Sequence, residues 1–580
     1  MKPKMLSLVW LARTQFFALL LAALGFVAPW KAAAGSFTAM TTALPGSFSP
    51  GHMMLLSDGR VMVQASFGSA WKFLLPDAQG HYIDGTWSNC PSMNYAREYY
   101  SSDVLTDGRV FVAGGEYISG VEWSEPGGAS AEIFDPQANG GTGSWTLINP
   151  PTSLLDPSQH ALSPYGGYYQ GFEDSESVLL PNGNVLVAPV FPSTKGGTLI
   201  YNPFSNIWSA GGTVATDDED EASWVKLPDD SILTIDPYGT DCQRYIPALN
   251  TWIQDRPVPV NLYSTNGEIG AAMLLTNGTV LYFGGNNASE IYTPSPLGGT
   301  NWGSWSSGPN IPDGYCMRDA PACILNNGKL LVTFVSFNGD SPLHIFEYNQ
   351  DNNSFTEVLT AGYAISDKTS MLQLPDGNVL FNDTGTVYVY QPDPSPISAG
   401  RPTIYSVSWN TDGSLHLTGT LFNGISQGAV YGDDAQQDNN YPLVKFTSGG
   451  TVYYGRTYNW SSTSVRTGGE IMTTEVAVPP AVLDVPADWS LQVIANGNAS
   501  AAWNFYSPVW VDFNYSGFPF QFGWYPFPYN TLPQGVSAIA SSYPGGTIAI
   551  KSSTGHETVP YTISTPMTII SVNGPSTIGN

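Results

Sequence analysis

The stretch Val104-Leu105-Thr106-Asp107-Gly108-Arg109-Val110-Phe111-Val112-Ala113-Gly114-Gly115 decides the fold, because its parts recur along the chain. Apolar residues flank an Asp-Gly pair, a pattern typical of two β-strands joined by a two-residue hairpin turn with positive φ angles. Six further copies are Leu56-Ser57-Asp58-Gly59, Leu180-Pro181-Asn182-Gly183, Leu227-Pro228-Asp229-Asp230, Leu275-Thr276-Asn277-Gly278, Leu325-Asn326-Asn327-Gly328 and Leu374-Pro375-Asp376-Gly377. The sequence therefore predicts seven hairpins in seven structural units.

The spacing of these turns predicts the architecture. Turn positions 59, 108, 183, 230, 278, 328 and 377 are separated by 49, 75, 47, 48, 50 and 49 residues. A period near 50 is typical of kelch-type propeller blades, four-stranded sheets that bury both faces only when neighbours stack on them. We attribute the long interval to an inserted loop around Leu154 to Gly171. We predict an all-β protein with a seven-bladed kelch-type β-propeller over residues 36–399. The aromatic residues predicted to close its outer strands are Trp87, Trp145, Trp208, Trp252, Trp305 and Phe355.

The rest of the chain changes rhythm after a linker rich in Pro, Ser and Gly. Alternating runs such as Leu491-Gln492-Val493-Ile494-Ala495 predict an immunoglobulin-like (early-set) β-sandwich over residues 400–513. Residues 514–580 form a short β-rich tail. Its aromatic-rich segment should cover the tail's own apolar surface or dock on the sandwich, with glycan or cell-surface binding as the alternative. The later pieces Gly546 to Ile550 and Met567 to Ile570 resemble a rung of a parallel β-helix.

The N-terminal residues 1–34 have the order of a secretory signal peptide. Three cationic residues precede an apolar run from Phe16 to Val27, and Ala32-Ala33-Ala34 precede Gly35, which predicts cleavage after Ala34. The apolar run is shorter than the roughly 18 residues that a membrane span requires. We therefore expect a secreted or cell-envelope monomer with no membrane span after cleavage.

The charge and the cysteines exclude several partners. The formal charge of −27 becomes −31 once the four cationic residues of the signal peptide are removed, which opposes binding to nucleic acid and to anionic membranes. Cys90, Cys242, Cys316 and Cys323 have no CxxC spacing, so a zinc site is not expected. Both a disulfide and buried free thiols are compatible with the sequence.

The order of signal peptide, seven kelch-like blades and β-sandwich is similar to that of the galactose oxidase and glyoxal oxidase family of secreted copper-radical enzymes. The most specific match is Ala96-Arg97-Glu98-Tyr99-Tyr100-Ser101-Ser102 followed by Asp107-Gly108-Arg109-Val110-Phe111. The family has Ala-Arg-Gly-Tyr, two serines and an Asp-Gly-Arg-Val-Phe hairpin in these places. The resemblance implies that Tyr99 stands where the family keeps its radical tyrosine.

The other copper-site residues of that family are not matched. The resemblance places Ser49 where the family has its cross-linking cysteine, and Asp367 and Lys368 where it has a Tyr-His pair. The segment Ser461-Ser462-Thr463-Ser464-Val465, where the sandwich would supply a histidine, has none. Copper(II) prefers imidazole ligands, and a lysine beside the site would repel a cation. We therefore expect the fold to be retained without copper-radical chemistry.

Acidic residues recur at one position of the repeat. The innermost strand of each blade should begin ten residues before its turn, at the mouth of the central channel, and carboxylates occupy most of these positions or the next. The predicted ligand-binding residues are Glu98, Tyr99, Glu173, Asp220, Glu221, Glu268, Arg318, Asp319 and Asp367. Crowded carboxylates raise one another's pKa unless cations such as Arg97, Arg318 and Lys368 compensate.

Three interpretations of this ring follow from its chemistry. The carboxylates could hold Ca²⁺. They could bind a sugar or do acid–base work on it, with Tyr99, Tyr100, Tyr117 and Trp224 as stacking platforms. They could equally be structural ties that hold the inner strands together. His52 is an isolated histidine and should pack at the channel wall. No phosphate loop or HExxH motif is found.

The function we favour is binding of a glycan or cell-surface ligand at an acidic propeller mouth, with no cofactor. The alternative is a divergent extracellular oxidase or a carboxylate-based carbohydrate-active enzyme at the same mouth. A purely structural envelope protein is a third hypothesis.

Overall fold

The computed structural model describes most of the chain after the N-terminal segment. The described residues are 34–46, 48–118, 121–122, 129–155, 171–172, 175–190, 194, 196–215, 219, 221–264, 269–312, 314–362, 364–393, 396–431, 436–484, 487–517, 519–542, 544–555 and 560–579. For residues 118, 121, 122, 431 and 436–438, only the backbone is described. The predicted signal peptide and most of the predicted insertion around Leu154 to Gly171 lie outside these ranges.

Six antiparallel four-stranded sheets, together with a seven-stranded sheet that contains the four strands of blade six, confirm the predicted seven-bladed propeller. The strands of blades one to three are Pro50–Leu55, Val61–Ala65, Trp71–Leu75 and Thr86–Cys90; Ser101–Val104, Val110–Ala113, Ala131–Asp135 and Ser144–Leu147; and Glu176–Leu179, Val185–Ala188, Gly197–Asn202 and Ile207–Thr213. Those of blades four to six are Val225–Lys226, Ile232–Ile235, Cys242–Ile246 and Thr251–Gln254; Ala272–Leu274, Val280–Phe283, Ser289–Thr293 and Ser304–Ser307; and Pro321–Ile324, Leu330–Ser336, Gly339–Asn349 and Ser354–Ala361. The first strand of each blade is innermost.

Blade seven is built from both ends of the propeller. Its inner strands are Ser370–Gln373, Val379–Asn382 and Val387–Gln391, and its outermost strand is the N-terminal Ser36–Ala39. Ser36 pairs with Gln391, and Ala39 pairs with Tyr388. The ring is therefore closed by hydrogen bonds between distant parts of the chain. The repeat pattern did not predict this closure, because the spacing of the turns does not indicate which strands pair with each other.

The seven turns share one geometry, which differs from the predicted two-residue turn. In blade two, Leu105 N–H donates to the Arg109 carbonyl oxygen and Gly108 N–H donates to the Leu105 carbonyl oxygen, so each loop has three residues. Only its last residue has a positive φ, 84° at Gly108 and 66° at Asp230 in blade four. The Asp or Asn carboxylate or amide oxygen accepts the N–H two residues later in all seven turns, which explains why these residue types recur.

Tryptophans on the outer strands join neighbouring blades. The indole Nε1–H of Trp208 in blade three donates to the Ile148 carbonyl oxygen, which follows blade two, at 2.6 Å. Trp145 donates in the same way to Pro91, and Trp305 donates to Arg256. Each ring also packs on an aromatic residue of the adjacent strand, such as Tyr201 with Trp208. The recurring tryptophan therefore provides a hydrogen bond between blades as well as apolar packing.

The predicted sandwich is one sheet that curls on itself. Its strands, in spatial order, are Thr403–Trp409, Leu415–Thr420, Met472–Ala477, Thr451–Tyr458, Leu443–Ser448, Asp488–Ala495 and Asn498–Ala499, with Trp503–Tyr506 also paired to Asp488–Ala495. Strand Thr451–Tyr458 pairs with Leu443–Ser448 through its first half and with Met472–Ala477 through its second, so it belongs to both layers. We call this unit the curled-sheet domain; the helix described within it is Pro480–Leu483.

A hairpin of the curled-sheet domain enters the propeller channel. Strand Gly428–Tyr431 pairs with the innermost strand of blade six, where Tyr431 lies opposite Pro321, and its second strand is Gln436–Asp438. By contrast, the segment Ser461 to Val465 lies at the turn end of the channel, because Thr463 Oγ1 donates to the Leu179 carbonyl oxygen.

The tail confirms the parallel pairing and adds a helix that the sequence did not predict. Strands Val509–Val511, Thr547–Lys551 and Thr568–Val572 form a parallel sheet, and Thr554–Gly555 pairs in parallel with Thr577–Ile578. Helix Leu532–Ser542 packs its apolar face on the first two strands. The aromatic segment covers the edge of Val509–Val511, where Tyr525 contacts Trp510, although Phe520 and Phe522 stay exposed.

The four cysteines are buried free thiols, which decides between the two alternatives left open by the sequence. Among the described residues, no helix is long and apolar enough to cross a lipid bilayer.

Replacing Trp208 with Phe should lower the free energy of unfolding by about 2 kcal/mol, because it leaves a buried carbonyl without its donor and removes part of a packed ring. Urea unfolding followed by far-UV circular dichroism measures the change. Trp302→Phe is the control, since that indole is 51% exposed and its substitution should alter stability by less than about 0.5 kcal/mol. Equal losses in the two variants would contradict an inter-blade role for the buried indole.

Candidate functional site

The described residues of the predicted ring lie on the propeller face opposite the curled-sheet domain. The hairpin turns contact that domain: Arg456 donates to the Asp107 carbonyl oxygen at 3.0 Å, and Arg466 donates to the Thr276 carbonyl oxygen at 2.5 Å. Because the innermost strands end at these turns, their beginnings lie at the other face. We call that open face, around the channel, the mouth.

Glu98 and Tyr99 are positioned by a small sheet at the mouth. Strand Arg97–Glu98 pairs with Tyr117–Ile118, which pairs with Val121–Glu122, so the loop between the second and third strands of blade two folds back over the mouth. Glu116 N–H also donates to the Tyr99 carbonyl oxygen at 3.1 Å. Backbone hydrogen bonds thus fix the orientation of the Glu98 and Tyr99 side chains.

A hydrogen bond across the ring closure brings blades two and seven together. The Tyr99 hydroxyl donates to Asp367 Oδ2 at 3.0 Å, although the two residues are 268 positions apart. Asp367 and Lys368 lie in the short helix Ser366–Lys368, immediately before the innermost strand of blade seven. Glu98 accepts the backbone N–H of Phe67 from blade one. Three blades therefore contribute to one group of side chains, and its two carboxylates come from the predicted ring.

Three half-buried aromatic rings border these carboxylates. Phe67, Tyr99 and Tyr117 meet edge to face, with centroid separations of 5.4 to 6.2 Å. The Lys368 ammonium lies 5.6 Å from the centroid of the Phe67 ring. Phe67 and Tyr99 both have left-handed backbones, with φ angles of 54° and 51°, a conformation that is unfavourable for large side chains. Such strain persists where surrounding contacts hold a specific side-chain placement.

Burial gives the carboxylates unusual protonation properties. It raises the pKa of Glu98 to about 7, opposed by the hydrogen bond from Phe67 and by Lys368, and reinforced by the charge of Asp367. Burial also raises the pKa of Asp367, opposed by the Tyr99 hydroxyl and by Lys368, while Asp340 raises it further. A carboxyl that titrates near neutral pH can both donate and accept a proton under physiological conditions.

Asp340 connects the group to blade six. Its carboxylate pairs with Arg318 at 2.6 Å. Arg318 was predicted to lie at the site, and Asp340, which was not predicted, connects it to the other residues. Asp319 and Glu221 are half-buried residues at left-handed backbone positions, and the Asp319 N–H donates to the Ile269 carbonyl oxygen. Glu173, Asp220 and Glu268 lie outside the described residues. Convergence is therefore seen for Glu98, Tyr99 and Asp367, with Arg318 at their margin, and a complete ring stays a prediction.

Several other expectations for this region are wrong. Arg97 is fully buried and pairs with Glu132 at 3.0 Å inside blade two, so it is a structural tie and does not compensate charge at the mouth. Tyr100 and Trp224 are 1% exposed and cannot stack on a ligand; their polar atoms bond to Gln64 and Glu219. By contrast, His52 is packed as expected: it is buried with its Nε2 atom 2.9 Å from Ser102 Oγ, and burial lowers its pKa to about 3.

The side chains present do not suit the copper centre that the resemblance implies. Ser49 Oγ donates to the Thr384 carbonyl oxygen, so it offers neither a thiolate nor a free ligand. The group around Tyr99 consists of carboxylates and an ammonium, whereas copper(II) prefers imidazole nitrogen. Within the described ranges, no three His, Cys, Asp or Glu side chains lie close enough together to hold a metal ion.

Two residues of the site were missed at the sequence level. Phe67 lies in the Ser66 to Ser69 loop between two strands of blade one, and Asp340 lies in a hairpin of blade six. Neither occupies the position counted back from the turns. One sequence feature could have identified Phe67, which is an aromatic residue between small residues in a predicted loop. A bulky apolar side chain is unusual at an exposed turn.

Comparisons with known proteins found only distant structural matches. No protein-family model and no curated protein matches the chain. Among solved structures, a fungal alcohol oxidase of the AA5 family in complex with copper is 13% identical with a TM-score of 0.45, covering 82% of this chain and 99% of its own. Virginiamycin B lyase from Staphylococcus aureus is 12% identical with a TM-score of 0.38, covering 62% and 98%. The extracellular domain of a putative one-component system from B. thetaiotaomicron is 12% identical with a TM-score of 0.41, covering 66% and 44%.

The raised pKa of Glu98 predicts a pH-dependent stability. A carboxyl with a higher pKa in the folded than in the unfolded state contributes stability below about pH 4.5 that is lost as the pH rises through about 7. Glu98→Gln should therefore match the wild type near pH 4 and exceed it at pH 8 by about 3 kcal/mol. Guanidinium unfolding at both pH values measures the difference. Asp351→Asn, an exposed loop change, is the control and should show no such pH dependence. A stability difference between the wild type and Glu98→Gln that is constant with pH would contradict the assignment.

Proposed function

We propose that this protein is exported and binds a neutral, hydroxyl-rich ligand, a glycan, at the mouth between blades one, two and seven. The observation that carries the proposal is the bond between Tyr99 and Asp367, which places hydrogen-bonding groups beside three half-buried rings. The N-terminal signal-like sequence of residues 1–34 supports export.

The aromatic groups supply the apolar part of sugar recognition. Sugar rings have apolar C–H faces that pack on aromatic rings, and Phe67, Tyr99 and Tyr117 are each half-buried at the mouth. Their edge-to-face contacts hold them in place before a ligand arrives. Such pre-organisation reduces the entropy lost on binding.

The polar groups supply the directional part. Asp367 and Glu98 are hydrogen-bond acceptors for hydroxyl groups, and Lys368 is a donor. The strongly negative chain disfavours anionic ligands, which leaves neutral or cationic sugars as the ligands best suited to the mouth.

A second candidate function is acid–base catalysis on a sugar. The specific observation in its favour is the pKa of about 7 at Glu98, beside a second carboxylate whose pKa is also raised. Two carboxyl groups with different proton affinities are the usual components of glycoside hydrolysis. The two functions share a site, and turnover distinguishes them.

Asp367→Asn and Tyr99→Phe should each weaken glycan binding by about tenfold, because each removes a charge-assisted hydrogen bond at the mouth. A glycan array identifies the ligand, and calorimetric titration with the strongest binder measures the loss. Tyr405→Phe is the matched control, since Tyr405 is an exposed tyrosine of the curled-sheet domain. Binding that survives both mouth substitutions would locate the ligand elsewhere, and the absence of binding to any glycan would contradict the proposal.

Catalysis is tested on the same purified protein. We expect no hydrogen peroxide from sugars or aldehydes after incubation with copper, because the mouth lacks suitable ligands. We also expect no release of reducing sugar from the glycan that binds. Peroxide production would support a divergent oxidase. Sugar release abolished by Glu98→Gln but not by Asp351→Asn would support the carboxylate-based enzyme.

A further inference from the structure

Gly35 lies where the predicted signal peptide meets the propeller. It immediately precedes Ser36–Ala39, the strand that closes blade seven. Its backbone nitrogen is 3.2 Å from Glu347 Oε1, a carboxylate oxygen of blade six. The nitrogen that cleavage after Ala34 would release is therefore already directed at a carboxylate.

The carboxylate of Glu347 is buried and shared by several partners. It is 2% exposed and lies on strand Gly339–Asn349. Lys329 Nζ is 2.6 Å from its Oε2 atom, and the Tyr390 hydroxyl donates to Oε1 at 2.5 Å. Tyr390 belongs to the strand that pairs with Ser36–Ala39. Burial and the neighbouring carboxylate raise the pKa of Tyr390, so the phenol remains a donor. Glu347 thus connects blade six to both strands at the closure.

Position 35 accommodates only glycine. A Cβ atom there would lie 2.3 Å from the Gln391 carbonyl oxygen and 2.6 Å from the Tyr390 ring, well inside contact distance. Any other residue would push the backbone away from Glu347. The small residues Ala32 and Ala34 stand at the positions that signal peptidases require before the cleaved bond. The same glycine therefore suits the processing sequence and the closure.

We propose that a signal peptidase hydrolyses the Ala34–Gly35 bond and that the resulting Gly35 ammonium forms an ion pair with the buried carboxylate of Glu347, which strengthens the closure of the ring. Water adds to the Ala34 carbonyl carbon, the C–N bond breaks, Ala34 leaves as a carboxylate, and the Gly35 nitrogen is protonated. A neutral N–H with one proton becomes a cation with three, and its bond to a carboxylate becomes charge-assisted. The inference rests on the proposed export, and it is independent of any ligand at the mouth.

The reactivity of the Gly35 amino group tests the ion pair. Mature protein that begins at Gly35 is treated with limiting acetic anhydride near pH 7, and acetylation of the first residue is followed by peptide mass spectrometry. We expect Gly35 in the wild type to react about tenfold more slowly than in Glu347→Gln, since tenfold corresponds to one unit in the pKa of the amine. Glu357→Gln, a carboxylate of the neighbouring strand that pairs with His344, is the control and should react like the wild type. Equal rates in wild type and Glu347→Gln would overturn the ion pair.

A second measurement needs no substitution at Glu347. Protein that begins at Gly35 is compared with protein that retains Ala32, Ala33 and Ala34, and we expect the longer form to unfold about 2 °C lower because its Gly35 nitrogen is a neutral amide. Equal midpoints would overturn the stabilising role. N-terminal sequencing of exported full-length protein should begin at Gly35, and a different first residue would overturn the processing site. Neither result depends on glycan binding, so failure of the ligand proposal is recognised separately.

Discussion

Closure of the ring is the constraint on which the rest of the structure depends. Each blade has two apolar faces, and only a complete circle of seven covers them all. The circle closes by pairing Ser36–Ala39 with Val387–Gln391, two segments from opposite ends of the propeller. Further hydrogen bonds cross the same junction, because Ser370 and Asn382 of blade seven donate to the Gly51 carbonyl oxygen of blade one. Without this junction, Tyr99 and Asp367 would not meet.

The buried charges of the protein divide into two kinds. Arg97 with Glu132, and Arg244 with Asp255, are fully enclosed pairs whose guanidinium groups also donate to a backbone carbonyl or a hydroxyl, so they hold strands within or between blades. At the mouth, Glu98 is buried and Asp367 is half-buried; Lys368 is near both, and the Tyr99 phenol donates to Asp367. Burial raises the pKa values of both carboxyl groups, and Lys368 opposes only part of that shift. That difference separates the candidate site from the structural ties, although both were predicted from the same residue types.

Much of the architecture was predictable because it follows local rules. The Asp or Asn of each turn accepts a nearby N–H, and the outer-strand aromatic packs on the adjacent strand, so both features recur at fixed spacing. Counting back from the turns selected Glu98, Tyr99 and Asp367, which lie together at the mouth. It did not select Phe67 and Asp340, because these residues lie in loops whose lengths differ between blades. Arg97 was expected to compensate charge at the mouth, because the sequence does not show on which side of a strand a long side chain packs.

The amino-acid sequence alone was sufficient for the all-β class, the seven blades and the β-domain that follows them. Those properties depend on residue type and on separations within one repeat. The tertiary structure decided which strand closes the ring, which hairpin enters the channel, and that Glu98 meets Phe67 from another blade. These are contacts between residues far apart in the chain, and their formation depends on how whole sheets stack. No local pattern specifies that stacking, because each blade has the same apolar faces.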